Sequence, residues 1–254
     1  MKEIEAAFAT TTSILLGKKL SGLDDYGPWL TESLAAKVDR AKSVKSGKDV
    51  FVPTLAFYEK IGKNSLTLEE SLAHGANAIS EKDAEGLAMA NASKALAGIM
   101  STTPEVMFDK NIGTQECADY GPTQYCYRSA YAWFEKFCGY CFWARTSEYM
   151  FGCSSILDSK FCIKCSDSVN LTRCFEVADG RNCSDVYFSH NVENCQDCMF
   201  CFNTKNRRHA IGNVELGREK YMEIKKKVVG EIAGELEKEK RYRHTVFNIG
   251  ICPK

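Results

Sequence analysis

The residues most capable of chemistry are thirteen cysteines, and all but one lie between Cys117 and Cys201. Thiolates bind soft metals, pair as disulfides or act as nucleophiles. Four Cys-x-x-Cys pairs occur, at Cys138/Cys141, Cys162/Cys165, Cys195/Cys198 and Cys198/Cys201. Two such pairs in a cytosolic chain ordinarily point to zinc. The best candidate ligand sets are Cys183, Cys195, Cys198 and Cys201, and Cys153, Cys162, Cys165 and Cys174. Either set would hold zinc or an iron–sulfur cluster.

The spacing also has a purely architectural explanation. Cys126, Cys138, Met150, Cys162, Cys174, Val186 and Cys198 are each 12 residues apart. Cys117, Ser129, Cys141, Cys153, Cys165, Val177, Ser189 and Cys201 form a second such row, and Ser147, Ser159, Leu171, Cys183 and Cys195 a third. Ala132, Ala144, Ile156, Ser168, Gly180, Val192 and Thr204 make a fourth. The rows lie three residues apart, so every third residue is small or carries a thiol. A 12-residue repeat with four inward positions predicts a narrow β-solenoid whose equivalent residues stack ~4.7 Å apart. Only small side chains fit such a tube, and Cys serves there as a small hydrophobe. A further row of Asp158, Asn170, Asn182, Asn194 and Asn206 suits corners, because Asn and Asp tolerate left-handed backbone. A neighbouring row, Asp167, Asp179, Asn191 and Asn203, does the same. In this geometry Cys138/Cys141 and Cys162/Cys165 stand two coils apart, ~9–10 Å, too far to share one ion. Core thiols are therefore the leading expectation, with metal sites and internal disulfides as the alternatives.

The inward pattern over about residues 115–206 resembles the beetle-type insect antifreeze solenoids, where small residues and Cys also recur every third place in a 12-residue coil. The likeness implies architecture and not activity. Those proteins present a Thr-x-Thr ladder beside the inward Cys, whereas the flanks here read Tyr125/Tyr127, Phe137/Gly139, Tyr149/Phe151 and Phe161/Ile163. The stretch from Cys195 to Asn206, with the tail Ala210-Ile-Gly-Asn-Val-Glu-Leu-Gly-Arg-Glu-Lys-Tyr, also resembles uncharacterised Cys-rich proteins of archaea and candidate-phyla bacteria, which implies no activity.

The fold class expected is α+β, with three parts: a mostly helical N-terminal domain over 1–110, the solenoid over 111–206, and a charged C-terminal helix and tail over 207–254. In the first part, Pro28 suits the opening turn of a helix within Ser21–Lys42. Val50 to Tyr58 reads as a strand that Pro53 confines to an edge. Thr67-Leu-Glu-Glu is a capping box opening a helix to about Ile79. Ser80 with Asp83 opens another, to about Met100. Glu215 to about Arg243 reads as one long helix with an apolar stripe through Tyr221, Ile224, Val228, Ile232 and Leu236, suited to capping an open solenoid end.

Lys+Arg and Asp+Glu are both 33, so the chain lacks the basic excess of a wholesale nucleic-acid binder. No apolar run approaches the ~20 residues of a membrane span, and the start has no secretory h-region, so the expected compartment is the cytoplasm. No nucleophile elbow, P-loop, dinucleotide fingerprint or His-Glu-x-x-His occurs. The expected role is a non-catalytic interaction or assembly protein. Its candidate contact surfaces are the corner Asn/Asp rows and the outward strip Tyr127, Phe151, Phe175, Tyr187 and Met199, the strip facing a second copy or a protein partner if nothing in the chain covers it. Metal binding is the second expectation. RNA binding is the third: residues 205–254 carry 13 Lys+Arg against 7 Glu, with Arg207, Arg208, Arg241 and Arg243 in the densest runs.

Overall fold

The computed structural model describes residues 1–251, the side chains of 59–62 apart. Its centre is a β-solenoid of about eight coils. Consecutive coils pair in parallel with a register of 12, as in Cys162↔Cys174 and Cys198↔Val186. From Tyr125 to His209 every third residue has a positive φ, 45–59° at the non-glycine positions. Each coil is thus four sides of three residues: a left-handed corner, an inward residue and an outward one.

Left-handed backbone costs an L-residue roughly 1–2 kcal/mol, and the two halves of the solenoid offset it differently. Corners in the later coils are largely Asn and Asp, which adopt this region most readily. Their amides also bond from coil to coil, Asn170 to Asn182 at 3.0 Å and Asn191 to Asn203 at 2.9 Å. The earlier coils place aromatic rings at one corner, and Tyr125, Phe137, Tyr149 and Phe161 stack with centroids 5.3, 4.9 and 4.7 Å apart. Asn182→Val should therefore destabilise the protein by about 1–2 kcal/mol, because a β-branched residue is a poor fit to this conformation and the amide ladder is cut. Chemical denaturation measures this, and an unchanged midpoint would refute the strained-corner account.

One flank of the solenoid is roofed by helices. Helix α1 (Lys2–Leu16) buries Ile4, Phe8, Thr11, Leu15 and their neighbours at helical spacing. It runs along the solenoid axis: Ile4 lies by Tyr127, Phe8 meets Phe151 edge-on at 5.1 Å, and the Tyr187 hydroxyl donates to the Leu15 carbonyl at 2.9 Å. Helix α2 (Leu23–Thr31) packs beside it, with Trp29 stacked on Phe175 at 6.2 Å. Its end passes so close to the Gly152 corner (φ 65°) that a Cβ there would sit 2.7 Å from the Leu30 carbonyl oxygen.

The segment Ser21–Lys42 is only partly helical. After α2 the chain forms strand β1 (Val38–Lys42), which pairs antiparallel with β2 (Asp49–Pro53). Pairing with β2 overrides the helical pattern there, and the hairpin side covers Ala130 and Phe142 on a second side of the solenoid. A short helix α3 (Ala56–Ile61) follows. The Thr67 capping box forms as expected, but α4 (Leu68–His74) stops at Gly75, and α5 (Glu81–Glu85) stops at Gly86 instead of running to Met100. Only one more turn, α6 (Ala92–Ala95), forms before the base of this excursion closes through the Leu66 N–H to Thr102 carbonyl bond. None of α4, α5 and α6 buries a residue, so no core selects a longer helix.

The C-terminal helix α7 (Arg218–Glu239) buries Tyr221, Val229, Ile232, Ala233 and Leu236. Tyr221 packs on His209 of the last coil, while the rest of the helix extends along the roofed flank, its Glu237 paired with Lys18 just beyond α1. The open end itself is closed by the turn at Gly212–Asn213. There the Asn213 amide donates to the Phe202 carbonyl at 2.8 Å and accepts from the Phe202 N–H at 3.0 Å. No helix is long and apolar enough to cross a membrane among the described residues.

Candidate functional site

The inward rows do more than fill space. Inward thiols and serine hydroxyls donate back to the carbonyl two residues earlier: Cys138 to Lys136 at 3.3 Å, Cys183 to Arg181 at 3.2 Å, Ser147 to Arg145 at 2.8 Å. Several of them also accept from the inward residue of the next coil. The Cys141 N–H reaches Ser129 Oγ at 3.1 Å, and the Cys165 N–H reaches Cys153 Sγ at 3.4 Å. Inward N–H groups that the sheet ladder does not use are thus satisfied by a hydroxyl or thiol, which buried backbone requires. That is the physical reason Ser and Cys can replace one another in a row. All twelve described cysteines are buried free thiols, and Cys252 lies outside the described residues. Burial pushes the thiols of Cys117, Cys141, Cys165 and Cys174 well above their ordinary value.

Among the described residues, one group brings three metal-ligating atoms within 4.8 Å of one another: Cys126, Glu135 and Cys138. Neither sequence-predicted set, Cys183, Cys195, Cys198 and Cys201 or Cys153, Cys162, Cys165 and Cys174, brings three together so closely. Stacking strings those sulfurs along the axis instead of gathering them round a point. Glu135 was legible in the repeat: it lies 12 residues before Ser147, one place upstream in the third inward row.

The outward strip is covered by the chain itself. Tyr127, Phe151, Phe175, Tyr187 and Met199 are at most 4% exposed and belong to one core with α1, α2 and α7. The surface that a partner there would need is occupied, because a row this apolar gains more from the amphipathic α1 than from water. The four arginines form two pairs and no single patch. Arg207 and Arg208 sit in the last coil, where the Arg207 side chain bonds Thr204, while Arg241 and Arg243 follow the far end of α7. A helix of 22 residues is ~33 Å long.

Apolar surface remains on a third side. Trp133, Arg145, Leu157 and Val169 stack there in successive coils beside the corner residues Trp143, Ser155 and Asp167. Trp143 is 49% exposed, Phe134 60% and Phe108 49%. The Arg145 guanidinium lies 5.7 Å from the Trp143 ring centroid, and Phe108 meets Trp133 at 5.1 Å. A shallow groove of about 300 Å³ runs between Trp143, Arg145, Leu157 and Asp167. Sequence reading missed it because the corner Trp143 sits outside the rows flanking the inward Cys126 row. The signal was the same 12-residue period applied to Trp133 and Trp143.

The chain matches no family model, and comparison with curated proteins and with solved structures gives no match. The likeness to archaeal and candidate-phyla proteins therefore gains no support, while the 12-residue coil stands on the structure alone.

Proposed function

We propose that the protein is a non-catalytic assembly protein that self-associates through its uncovered solenoid side. The observation that carries this reading is Trp143, half exposed at the lip of an apolar groove on a solenoid side that the chain leaves open, although it covers the adjoining Ala130/Phe142 side and the opposite Tyr127 side for itself. Contiguous exposed apolar patches of this kind ordinarily mark interaction sites. A two-fold interface must be self-complementary, and this groove carries both Arg145 and Asp167 on its walls. Trp and Arg are also the residues that most often anchor interfaces.

Sedimentation velocity over a wide concentration range tests the proposal. The wild type should form a reversible dimer or higher oligomer, and Trp143→Glu should weaken it at least tenfold without changing the fold. A wild type that stays monomeric at every concentration would remove self-assembly as the role.

A further inference from the structure

Glu135 is an anomaly within the tube. It occupies an inward position that other coils fill with Thr123, Ser147, Ser159, Leu171 and Cys183. It is 0% exposed, and neither carboxyl oxygen has a hydrogen-bond partner. The neighbouring Cys138 thiol is directed to carbonyls, Lys136 at 3.3 Å and Ser147 at 3.6 Å. A buried carboxyl left unpaired costs several kcal/mol on general grounds, and a charged one more. Serine or leucine would avoid that cost, as both do elsewhere in the same row.

A cation held by Glu135 and its two thiol neighbours accounts for the residue. We infer that Cys126, Cys138 and Glu135 form a zinc site inside the early coils of the solenoid. Two thiolates and a carboxylate are a zinc donor set, and soft thiolates exclude magnesium and calcium. A tetrahedral ion with Zn–S near ~2.3 Å needs the two sulfurs ~3.8 Å apart. The ligand atoms already lie within 4.8 Å of one another, so closure of about an ångström brings them to bonding distance. A fourth position remains for a small ligand such as water. The ligating forms are thiolate and carboxylate, so binding must release protons from thiols and carboxyl groups that are protonated in the metal-free protein.

The position also provides an entry route. Glu135 is two coils from residues 107–115, whose backbone pairs with the solenoid through isolated bridges such as Ile112↔Gln124 and Gln115↔Tyr127. Thr123, the inward residue one coil before Glu135, is tied to Asn111 at 2.7 Å and to Thr114 at 2.8 Å. Opening that first turn uncovers the site without disturbing later coils, since each repeat contacts mainly its neighbours.

The test uses the full chain, stripped with a chelator under reducing conditions and titrated with zinc alone, read by native mass spectrometry. Cobalt replaces zinc in a parallel titration, since thiolate ligation gives an intense near-ultraviolet charge-transfer band. The wild type should take up one ion, with that band. Glu135→Gln, which keeps the shape, should bind at least tenfold more weakly, and Cys126→Ser should weaken the band. Both should keep the wild-type circular dichroism in the apo state. A wild type that binds no zinc, or a Glu135→Gln variant that binds it equally well, overturns the assignment. Neither result bears on the groove at Trp143, which lies on the outer surface.

Discussion

Replacing Phe8 by Ala should cost about 3–5 kcal/mol, the usual range for removing a fully buried ring. Phe8 is 0% exposed and touches both the helical and the solenoid halves of the core, with Tyr26 at 5.2 Å and Phe151 at 5.1 Å. Because α1 covers much of the aromatic strip, which it shares with α2 and α7, the variant should also aggregate as α1 loosens. Urea denaturation gives the first quantity and light scattering the second. A loss below about 1 kcal/mol would mean that α1 lies on the solenoid without stabilising it.

The second large effect should come from Lys164→Met, and it should depend on pH. Lys164 is a corner residue buried under α2. Its ammonium donates to the Trp29 carbonyl at 3.0 Å and to Glu32 at 2.5 Å, and lies 3.6 Å from Glu176. Glu176 is 3% exposed and accepts a bond from the Val246 N–H at 3.1 Å, so the pair ties α2 and the C-terminal segment to one coil corner. Removing one member of a buried pair typically costs 3–5 kcal/mol, on the order of the whole stability margin of many domains. Burial, opposed by Lys164, raises the Glu176 carboxyl to about 7. The folded protein therefore binds more protons than the unfolded chain between roughly pH 4.3, the free Glu value, and pH 7. Across that window the Glu176 contribution falls as pH rises. In the wild type, Glu176→Gln should flatten that decline. In Lys164→Met the cost should be larger at pH 8, where Glu176 must either keep a proton that the unfolded chain gives up or be charged without its partner, than at pH 5. Equal losses at both pH values would show that Glu176 does not titrate in the folded protein.

How much of this was legible depends on which forces are periodic. The inward rows are forced by the width of the tube, so Cys, Ser, Ala and Gly had to recur every third residue, and the coil length could be counted directly. The Asn and Asp corners followed from the same period. Helix α1 was not singled out, because Thr10, Thr11 and Thr12 have low helical propensity. In the structure their hydroxyls bond carbonyls one turn back, as Thr11 does to Ala7 at 2.9 Å, and the buried Ile4, Phe8 and Leu15 decide the matter. The hairpin β1–β2 and the early stops at Gly75 and Gly86 depend on contacts, or the lack of them, far along the chain. Of the candidate sites, the cysteine sets followed spacing in sequence, whereas a metal needs convergence in space, and only an exception within a row, Glu135, supplies it.

The lengthwise contact of α1 makes it a ruler. Its 15 residues reach ~22 Å, and coils advance ~4.8 Å each, so one helix spans between four and five coils, about the distance from Tyr127 to Tyr187. A 12-residue duplication within that stretch would leave every strand pair and every inward contact intact. It would nevertheless carry one aromatic rung beyond the reach of α1. The number of rungs that α1 can roof is thus set from outside the repeat, by a segment more than a hundred residues upstream that would have to grow by about one turn for every coil gained.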